Sequence, residues 1–309
     1  MTRFDSRQPL PEPYRGAIIA LGNFDGFHLG HQAVVGETVR WAQAEGRPAL
    51  VATFDPHPKR FFVPDAPPFR LTTLDQREAL FAAAGAQGMV VIHFDAAVAA
   101  MTGAQWVEDM LHRQFGAKGV VTGQDFTFGR GRSATADLLG SLGEPFGISA
   151  RAAPAVYDEG QPVSSTRIRA ALQAGDCETA TRLLSRPFAI RGTVQHGDKL
   201  GRTIGFPTAN LPLDTYVRPR YGIYAVKGRL PDGKLYAGAA NLGVRPSFDP
   251  PKELLEPYFF GWSGDLYGAE IEVELHHFLR PEAKYEGLEA LTAAIAADCE
   301  RAKALLGAD

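Results

Sequence analysis

The chain has 309 residues, 45% of them hydrophobic and 22% charged, with a formal net charge of −3. That length exceeds what one hydrophobic core usually organises and suits two domains, and the balance excludes a chain disordered beyond its termini. The charge argues against bulk nucleic-acid binding, which needs clustered Lys and Arg, while leaving room for a local basic pocket around a nucleotide.

Residues 1–16, MTRFDSRQPLPEPYRG, are polar and Pro-rich and lack the apolar stretch of a signal peptide. No apolar run approaches the ~18 residues needed to span a bilayer, so the expected location is the cytoplasm. The run AIIAL at 17–21 reads as a buried strand, and 30–45 as a helix with Ala33, Val34, Val39, Trp41 and Ala42 on its apolar positions. ALVATF at 49–54 and MVVIHF at 89–94 read as further strands. Thr73 is placed to cap a helix over 75–84, 103–115 looks helical, and 119–122 reads as a fourth strand. Non-alternating strands in β-α-β-α order predict a parallel sheet covered on both faces, with ligands at the C-terminal strand ends.

The pattern changes after about residue 184. Runs at 223–226, 235–242 and 269–278 alternate or nearly alternate and are punctuated by Gly and Pro, which predicts an antiparallel sheet or barrel. A last amphipathic helix is expected over 287–306, with Leu288, Leu291, Ile295, Cys299 and Ala302 on its apolar positions. The expected domains are 1–184 and 185–309. The two cysteines, Cys177 and Cys299, fall one in each half and read as isolated structural thiols of a reducing compartment.

GNFDGFHLGH at 22–31 follows the first strand and enters the first helix. Gly22, Gly26 and Gly30 allow tight turning and close approach of a ligand, and the helix N-terminus offers N–H groups and a positive dipole end. His28 and His31, three apart, would share one face of a helical turn and donate to phosphoryl oxygens. Taken alone the pair is equally compatible with a structural role, and a zinc site lacks further ligands of suitable spacing. GK[ST] is absent and the glycine spacing is not GxGxxG, so neither common phosphate loop is present. VSSTRIR at 163–169 sets Ser164, Ser165 and Thr166 ahead of Arg169 at the start of a helix over 166–174. Those hydroxyls could hold a triphosphate while Arg169 neutralises charge, or Ser165 or Thr166 could simply cap the helix. In the second half, HGDKLGRTIGFPTAN at 196–210 offers Gly197, Gly201 and Gly205 for a loop over phosphates. Its Thr208 and Asn210 are hard oxygen donors suited to Mg²⁺, although a plain Gly-rich turn is also open.

HxGH followed by SSTxxR resembles the paired signature of α/β nucleotidylyltransferases. With TFDPHP at 53–58, TGQDFTFGRGR at 122–132 and GxxxGFPTAN, the chain resembles bacterial bifunctional riboflavin kinase/FAD synthetases over about 16–306. YGIYAV at 221–226, AANLGVRPSF at 239–248, SGDLYG at 263–268 and FLRPEAKY at 278–285 extend the match in order. The resemblance implies a Rossmann-like nucleotidylyltransferase domain and a six-stranded antiparallel β-barrel with a terminal helix. It implies ATP, riboflavin and Mg²⁺ as inputs, and FMN and FAD as products. His28, His31 and Arg169 would act in adenylyl transfer, with Gly22, Asn23, Phe24, Asp25, Gly26 and Gly30 around the nucleotide. Phe54, Pro56, His57, Pro58, Phe62 and Asp125 would border the flavin and its phosphate. Glu256 would be the base that deprotonates the ribityl hydroxyl, with Glu253 as nearest competitor. Two departures stand out: Pro257, Tyr258 and Gly261 replace the Val, His and Asp common in the family, and Ala134–Thr135 replaces Gly–Asp. Proline removes a strand donor, so the Glu256 strand is expected at an edge or bulged. The alternatives are a single-activity FMN adenylyltransferase with a drifted kinase module, and a non-catalytic flavin carrier or regulator. The expected partners are small molecules, with no nucleic acid and no membrane, for a monomer or weak oligomer.

Overall fold

In the computed structural model, which describes residues 1–196, 205–245 and 252–308, the chain divides into two units. One comprises Met1–Ala66 with Leu74–Ser164, the other Pro67–Thr73 with Ser165–Asp309.

The first unit is built on six parallel strands: β1 (Thr2–Asp5), β2 (Ile18–Leu21), β3 (Ala49–Asp55), β4 (Gly88–His93), β5 (Gly119–Gly123) and β8 (Ser149–Ala153), in the order β1-β4-β3-β2-β5-β8. Two-residue strands β6 (Thr127–Phe128) and β7 (Ala134–Thr135) pair beside it, as do β9 (Tyr157–Asp158) and β10 (Gln161–Pro162). The central strands β2, β3, β4 and β5 are largely apolar along their length because each face has its own core. Ile18, Ala20, Val51 and Val121 meet Val34, Val35 and Trp41 of α1 (Leu29–Glu45) and Phe81 of α3 (Leu74–Ala83). Ile19, Leu21, Leu50, Ala52 and Val120 meet Trp106, Val107, Met110 and Leu111 on the other face. Those last four residues lie in π-helical turns, Trp106–Gln114, where 103–115 reads in sequence as an ordinary helix. The short α2 spans Pro58–Phe62, α4 Ala96–Ala100, α5 Gly103–Gln105 and α6 Ala136–Gly143.

Two strands of the six-stranded sheet escape the sequence reading, β1 and β8, and both are its edges. An edge strand is covered less and needs no continuous apolar run. Three of the four β1 residues are exposed, as is much of SARAA in β8. The chain order reverses between β2 and β5, so the loops leaving these two neighbours open a crevice at their C-terminal ends.

The second unit holds β11 (Phe188–Thr193), β12 (Leu211–Pro212), β13 (Gly222–Arg229), β14 (Leu235–Arg245), β15 (Lys252–Phe259) and β16 (Glu270–Arg280). They are antiparallel in the order β11-β16-β13-β14-β15-β12. A single bridge past β11 and before β12, Gln195 N–H to Asn210 O at 2.9 Å, nearly closes the barrel. Helices α7 (Ser165–Ala174) and α8 (Cys177–Leu184) pack on each other, and α8 packs on β16. Residues 67–73 join this unit through Arg70, whose N–H donates to Thr215 O and whose carbonyl accepts from Val217 N–H.

β15 is neither an edge nor bulged: it pairs with β14 in unbroken register from Lys252 to Phe259. Pro257 is tolerated because its carbonyl accepts from Ala209 N–H at 3.0 Å. The carbonyl and the missing N–H of one strand residue face the same side, so the lost donor points away from β14. The last helix, here α9 (Leu288–Leu306), lies on the outer face of β13 and β14, where Ala225, Ala239 and Leu279 meet Cys299 and Ala302. Leu288, expected on its apolar face, is 56% exposed. Both cysteines are free and buried, and burial pushes their thiols up, Cys177 to about 12 and Cys299 to about 11.

A two-pronged ion pair ties α9 to β16: Arg280 Nε donates to Asp298 Oδ1 at 2.9 Å and Nη2 to Oδ2 at 2.6 Å. Removing one partner strands the other charge at a half-buried seam, so Asp298→Ala is expected to lower stability by about 2–3 kcal/mol. Denaturant unfolding followed through the second unit reads this, and an unchanged midpoint would refute it.

Candidate active sites

In the first unit, the turn leaving β2 is held by its own aromatic side chains. The backbone enters the left-handed region at Phe24, Gly26 and Phe27 (φ 49°, 88° and 44°), which costs energy for the two phenylalanines. Their rings meet Phe81 edge-on at 5.7 and 5.2 Å and are almost fully buried, which offsets that cost. Asp25 is buried as well.

His28 is not on the helix with His31, as the spacing predicts, but outside it as the N-cap of α1. Its Nδ1 accepts from the His31 N–H at 3.4 Å, so one N–H of the helix end is already engaged. The two imidazoles stack at 3.6 Å and 19°, with Phe24 edge-on to His31 at 5.2 Å. With Nδ1 accepting, the neutral His28 tautomer carries its proton on Nε2, a donor for an anion. Gly30 packs closely here: a Cβ would lie 3.2 Å from the His28 ring, which would have to shift by a few tenths of an ångström. It would also lie 3.7 Å from the Val163 carbonyl, so VSST begins beside the histidine turn. Ser164 ends the first unit.

Ser165, Thr166 and Arg169 belong to the second unit, and α7 begins at Ser165, one residue before the expected start at Thr166. Arg169 Nε donates to the Phe69 carbonyl at 2.7 Å, with its guanidinium 5.4 Å above the Phe69 ring.

After β3, His57 caps α2 by accepting the Lys59 N–H at 3.1 Å, and the Asp55–Pro56 bond is cis. Phe54 lies in the core, 7% exposed, and so offers no open ring face. It meets Phe94, which also contacts Phe61 and Phe62 edge-on. Phe62 is 64% exposed and does present a face. Asp125 is exposed on the turn after β5, and Pro56 and Pro58 flank the β3 turn. Thr122, unassigned in the sequence reading, buries a hydroxyl with no hydrogen-bond partner among the described residues at the end of β5.

In the second unit, Gly197 and Gly201 lie outside the described residues, and Gly205 is exposed with φ 85°. Thr208 lines a cavity of about 160 Å³ with Pro207, Pro257, Tyr258, Trp262 and Asp265 among its walls. His196 stacks on Tyr267 of the same wall at 3.9 Å. Asn210 is buried, and its carbonyl holds the barrel bridge. Among the described residues, no three His, Cys, Asp or Glu side chains gather to hold a metal. The neutral oxygens of Thr208 and Asn210 suit Mg²⁺ that shares its shell with phosphates, and would not suit a transition metal.

Glu253 and Glu256 fall on opposite faces of β15 and are held differently. Glu253 is bound by Arg218, whose Nε donates at 2.7 Å, and by the Tyr221 hydroxyl. Those bonds, Arg218 first, hold its carboxyl below the usual range, and burial with Glu253 pushes the Tyr221 phenol up to about 12. Glu256 is adjacent to Pro257 of the cavity wall, with its side chain 15% exposed. It pairs with Arg245 through Oε2, which also accepts from Asn241 Nδ2 at 3.4 Å. Arg245 Nη1 stands 3.8 Å from Glu282 as well, and Gly243 leaves the space that Glu282 fills. Asn241 and Arg245 lie within AANLGVRPSF and carry no role in the sequence reading. The available signal was the strand period: Asn241 and Arg245 lie two and six residues past Ala239, on one face of the strand.

A profile of the FAD synthetase family matches residues 10–167, and one of the riboflavin kinase family matches 184–306. The bifunctional riboflavin kinase/FMN adenylyltransferase of Escherichia coli (strain K12) is 38% identical over 96% of this chain and 94% of its own. Those of Pseudomonas fluorescens and Bacillus subtilis (strain 168) are 39% and 35% identical, each over at least 93% of both chains. A crystal structure described as a macrolide-efflux protein from Streptococcus pneumoniae superposes with a TM-score of 0.85 at 29% identity, covering 96% of this chain and 97% of that one. No helix among the described residues is long and apolar enough to cross a membrane.

Glu253 has a lowered folded pKa, so it adds stability at neutral pH that disappears as pH falls through that lowered value. Glu253→Gln is therefore expected to lose less stability than the wild type between about pH 5 and about pH 3, a window spanning the usual glutamate value of about 4.3. Thermal melts across that range test it, and parallel curves would sink it.

Proposed function

The chain belongs to the family of bifunctional riboflavin kinases/FMN adenylyltransferases, and on that footing we propose how its residues divide the two reactions. It is an enzyme that phosphorylates riboflavin to FMN and adenylylates FMN to FAD, both with ATP. Residues 1–184 carry adenylyl transfer, and residues 185–309 carry the kinase. The observation behind this division is the separation of chemistries: stacked imidazoles at a strand-to-helix turn in one unit, and in the other a cavity lined by Thr208 with a half-engaged carboxylate, Glu256, on the strand of its wall.

In adenylyl transfer an FMN phosphate oxygen attacks the α-phosphorus of ATP, and pyrophosphate leaves. No enzyme nucleophile is needed, so catalysis is positioning and charge stabilisation. His28 donates from Nε2 and His31 from its ring, while the turn from Gly22 to Gly30 cradles the nucleotide. Ser164, Ser165, Thr166 and Arg169 hold the triphosphate. The His57 turn with Pro56 and Pro58, the open face of Phe62 and the carboxylate of Asp125 border the flavin, and Phe54 supports them from the core.

In the kinase reaction the ribityl hydroxyl attacks the γ-phosphorus of ATP, ADP leaves, and Glu256 accepts the proton. Arg245 and Asn241 both engage Oε2, which leaves Oε1 to accept it, and Glu282 is a second carboxylate near Arg245. Glu253 is unsuited as the base because Arg218 and Tyr221 hold both its oxygens. Thr208 and Asn210 would hold Mg²⁺, which when bound neutralises charge on the ATP phosphates. Gly205 borders the nucleotide, while Gly197 and Gly201, expected beside it, lie outside the described residues. The reading places the protein in the cytoplasm as a monomer or weak oligomer acting on small molecules, with no role for nucleic acid or membrane.

Incubation with riboflavin, Mg²⁺ and ATP should yield both FMN and FAD on chromatography. Tight flavin binding without either product would overturn the reading. Glu256→Gln is expected to cut FMN formation by about 100-fold or more and to spare FAD formation from supplied FMN. His31→Ala should do the reverse, and loss of both activities in either variant would refute two independent sites.

A further inference from the structure

Arg77, on α3, is among the largest fully buried side chains, at 2% exposure, and belongs to none of the segments assigned to either reaction. Burying a guanidinium costs free energy that its hydrogen bonds must offset. Its Nη1 donates to Thr53 Oγ1 at 2.8 Å and to the Asn23 carbonyl at 3.2 Å. Thr53 Oγ1 in turn donates to the same Asn23 carbonyl at 2.8 Å. That carbonyl thus receives two hydrogen bonds from beneath the loop, the full capacity of its lone pairs.

In a trans peptide the carbonyl and the following N–H point in opposite directions. Anchoring Asn23 O toward α3 and β3 therefore turns the Phe24 N–H away from them. That N–H makes no hydrogen bond among the described residues. Backbone donors are rarely left without an acceptor, and here the donor lies in a strained turn ahead of a helix N-terminus, at the crevice of the sheet. One turn further along α3, Phe81 supports the rings of Phe24 and Phe27. The helix so carries a polar and an apolar prop, at i and i+4, under the same loop.

We propose that Arg77 is a positioning residue of the adenylyl-transfer site, fixing the Asn23–Phe24 peptide so that the Phe24 N–H faces a phosphate oxygen of ATP. The proposal rests on the assignment of that loop to ATP given above. Arg77 touches no substrate; it acts through the carbonyl it holds.

Steady-state kinetics on the full chain tests it, with FMN adenylylation and riboflavin phosphorylation measured on the same preparation. Arg77→Met is expected to raise KM for ATP in adenylylation by about 10-fold or more, with KM for FMN near the wild-type value. Arg77→Lys, which keeps the charge and one donor, should recover part of that loss. Thr53→Val, which removes the second donor while leaving Arg77 in place, should shift KM for ATP in the same direction by less. The kinase reaction, carried by the other unit, should be unchanged in all three. An unaltered KM for ATP in Arg77→Met overturns the proposal. So does an equal rise in both KM values, or a parallel fall in kinase activity, since either marks general loosening. Failure of the unaltered chain to make FAD from FMN would instead overturn the assignment of the loop.

Discussion

The turn between β2 and α1 is the constraint on which the first half of the molecule depends. Within seven residues the chain must leave a fully buried strand and begin a helix whose N-terminus lies at the strand ends. Three consecutive demands follow: left-handed backbone at Phe24, Gly26 and Phe27, apolar support for the two phenylalanines, and polar support for the Asn23 carbonyl. The second and third come from α3 and β3, far away in sequence. His28 then caps the helix with its ring instead of lengthening it, and His31 stacks on that ring. A loop built this way holds its donors in place before any ligand arrives, which is what charge stabilisation without reorganisation requires.

The second unit meets a different problem, how to keep two carboxylates on one strand from becoming equivalent. The period of two in β15 does not bring Glu253 and Glu256 to the same face. Glu253 is bound by Arg218 and Tyr221 on one side, and Glu256 meets Arg245 and Asn241 on the other. One acid is saturated and serves stability. The other keeps an oxygen that neither Arg245 nor Asn241 engages, with a cation able to move between it and Glu282. Pro257, the residue that departs most from the family pattern beside the proposed base, turns out to be sterically and electronically quiet. Its absent donor faces the side where only its carbonyl is needed.

Both reactions move a phosphorus group between oxygens, and neither needs a covalent intermediate. Such chemistry asks the sheet and the barrel for well-placed donors. The chain's two cysteines are buried with raised thiols, far from the thiolate form that reacts.

Much of this was legible in the residues alone. Continuous apolar runs predicted the central parallel strands because both faces are covered, and alternating runs predicted the barrel because only one face meets its core. The HxGH turn, the VSSTRIR helix start and GFPTAN announced phosphate chemistry because such chemistry tolerates few residue types at close backbone approach. Edge strands β1 and β8 were not legible, since exposed edges carry no apolar requirement. The cap geometry of His28, the burial of Phe54, the pairing of Glu256 with Arg245 and the prop at Arg77 were not legible either. Each depends on contacts between segments distant in sequence, and local spacing is silent about which donor will meet which acceptor. The sequence by itself determined which chemical groups were present and which local conformations they favoured. Tertiary structure decided which of those groups are already engaged, because a hydrogen bond or an ion pair is settled only when both partners are brought to within about 3 Å.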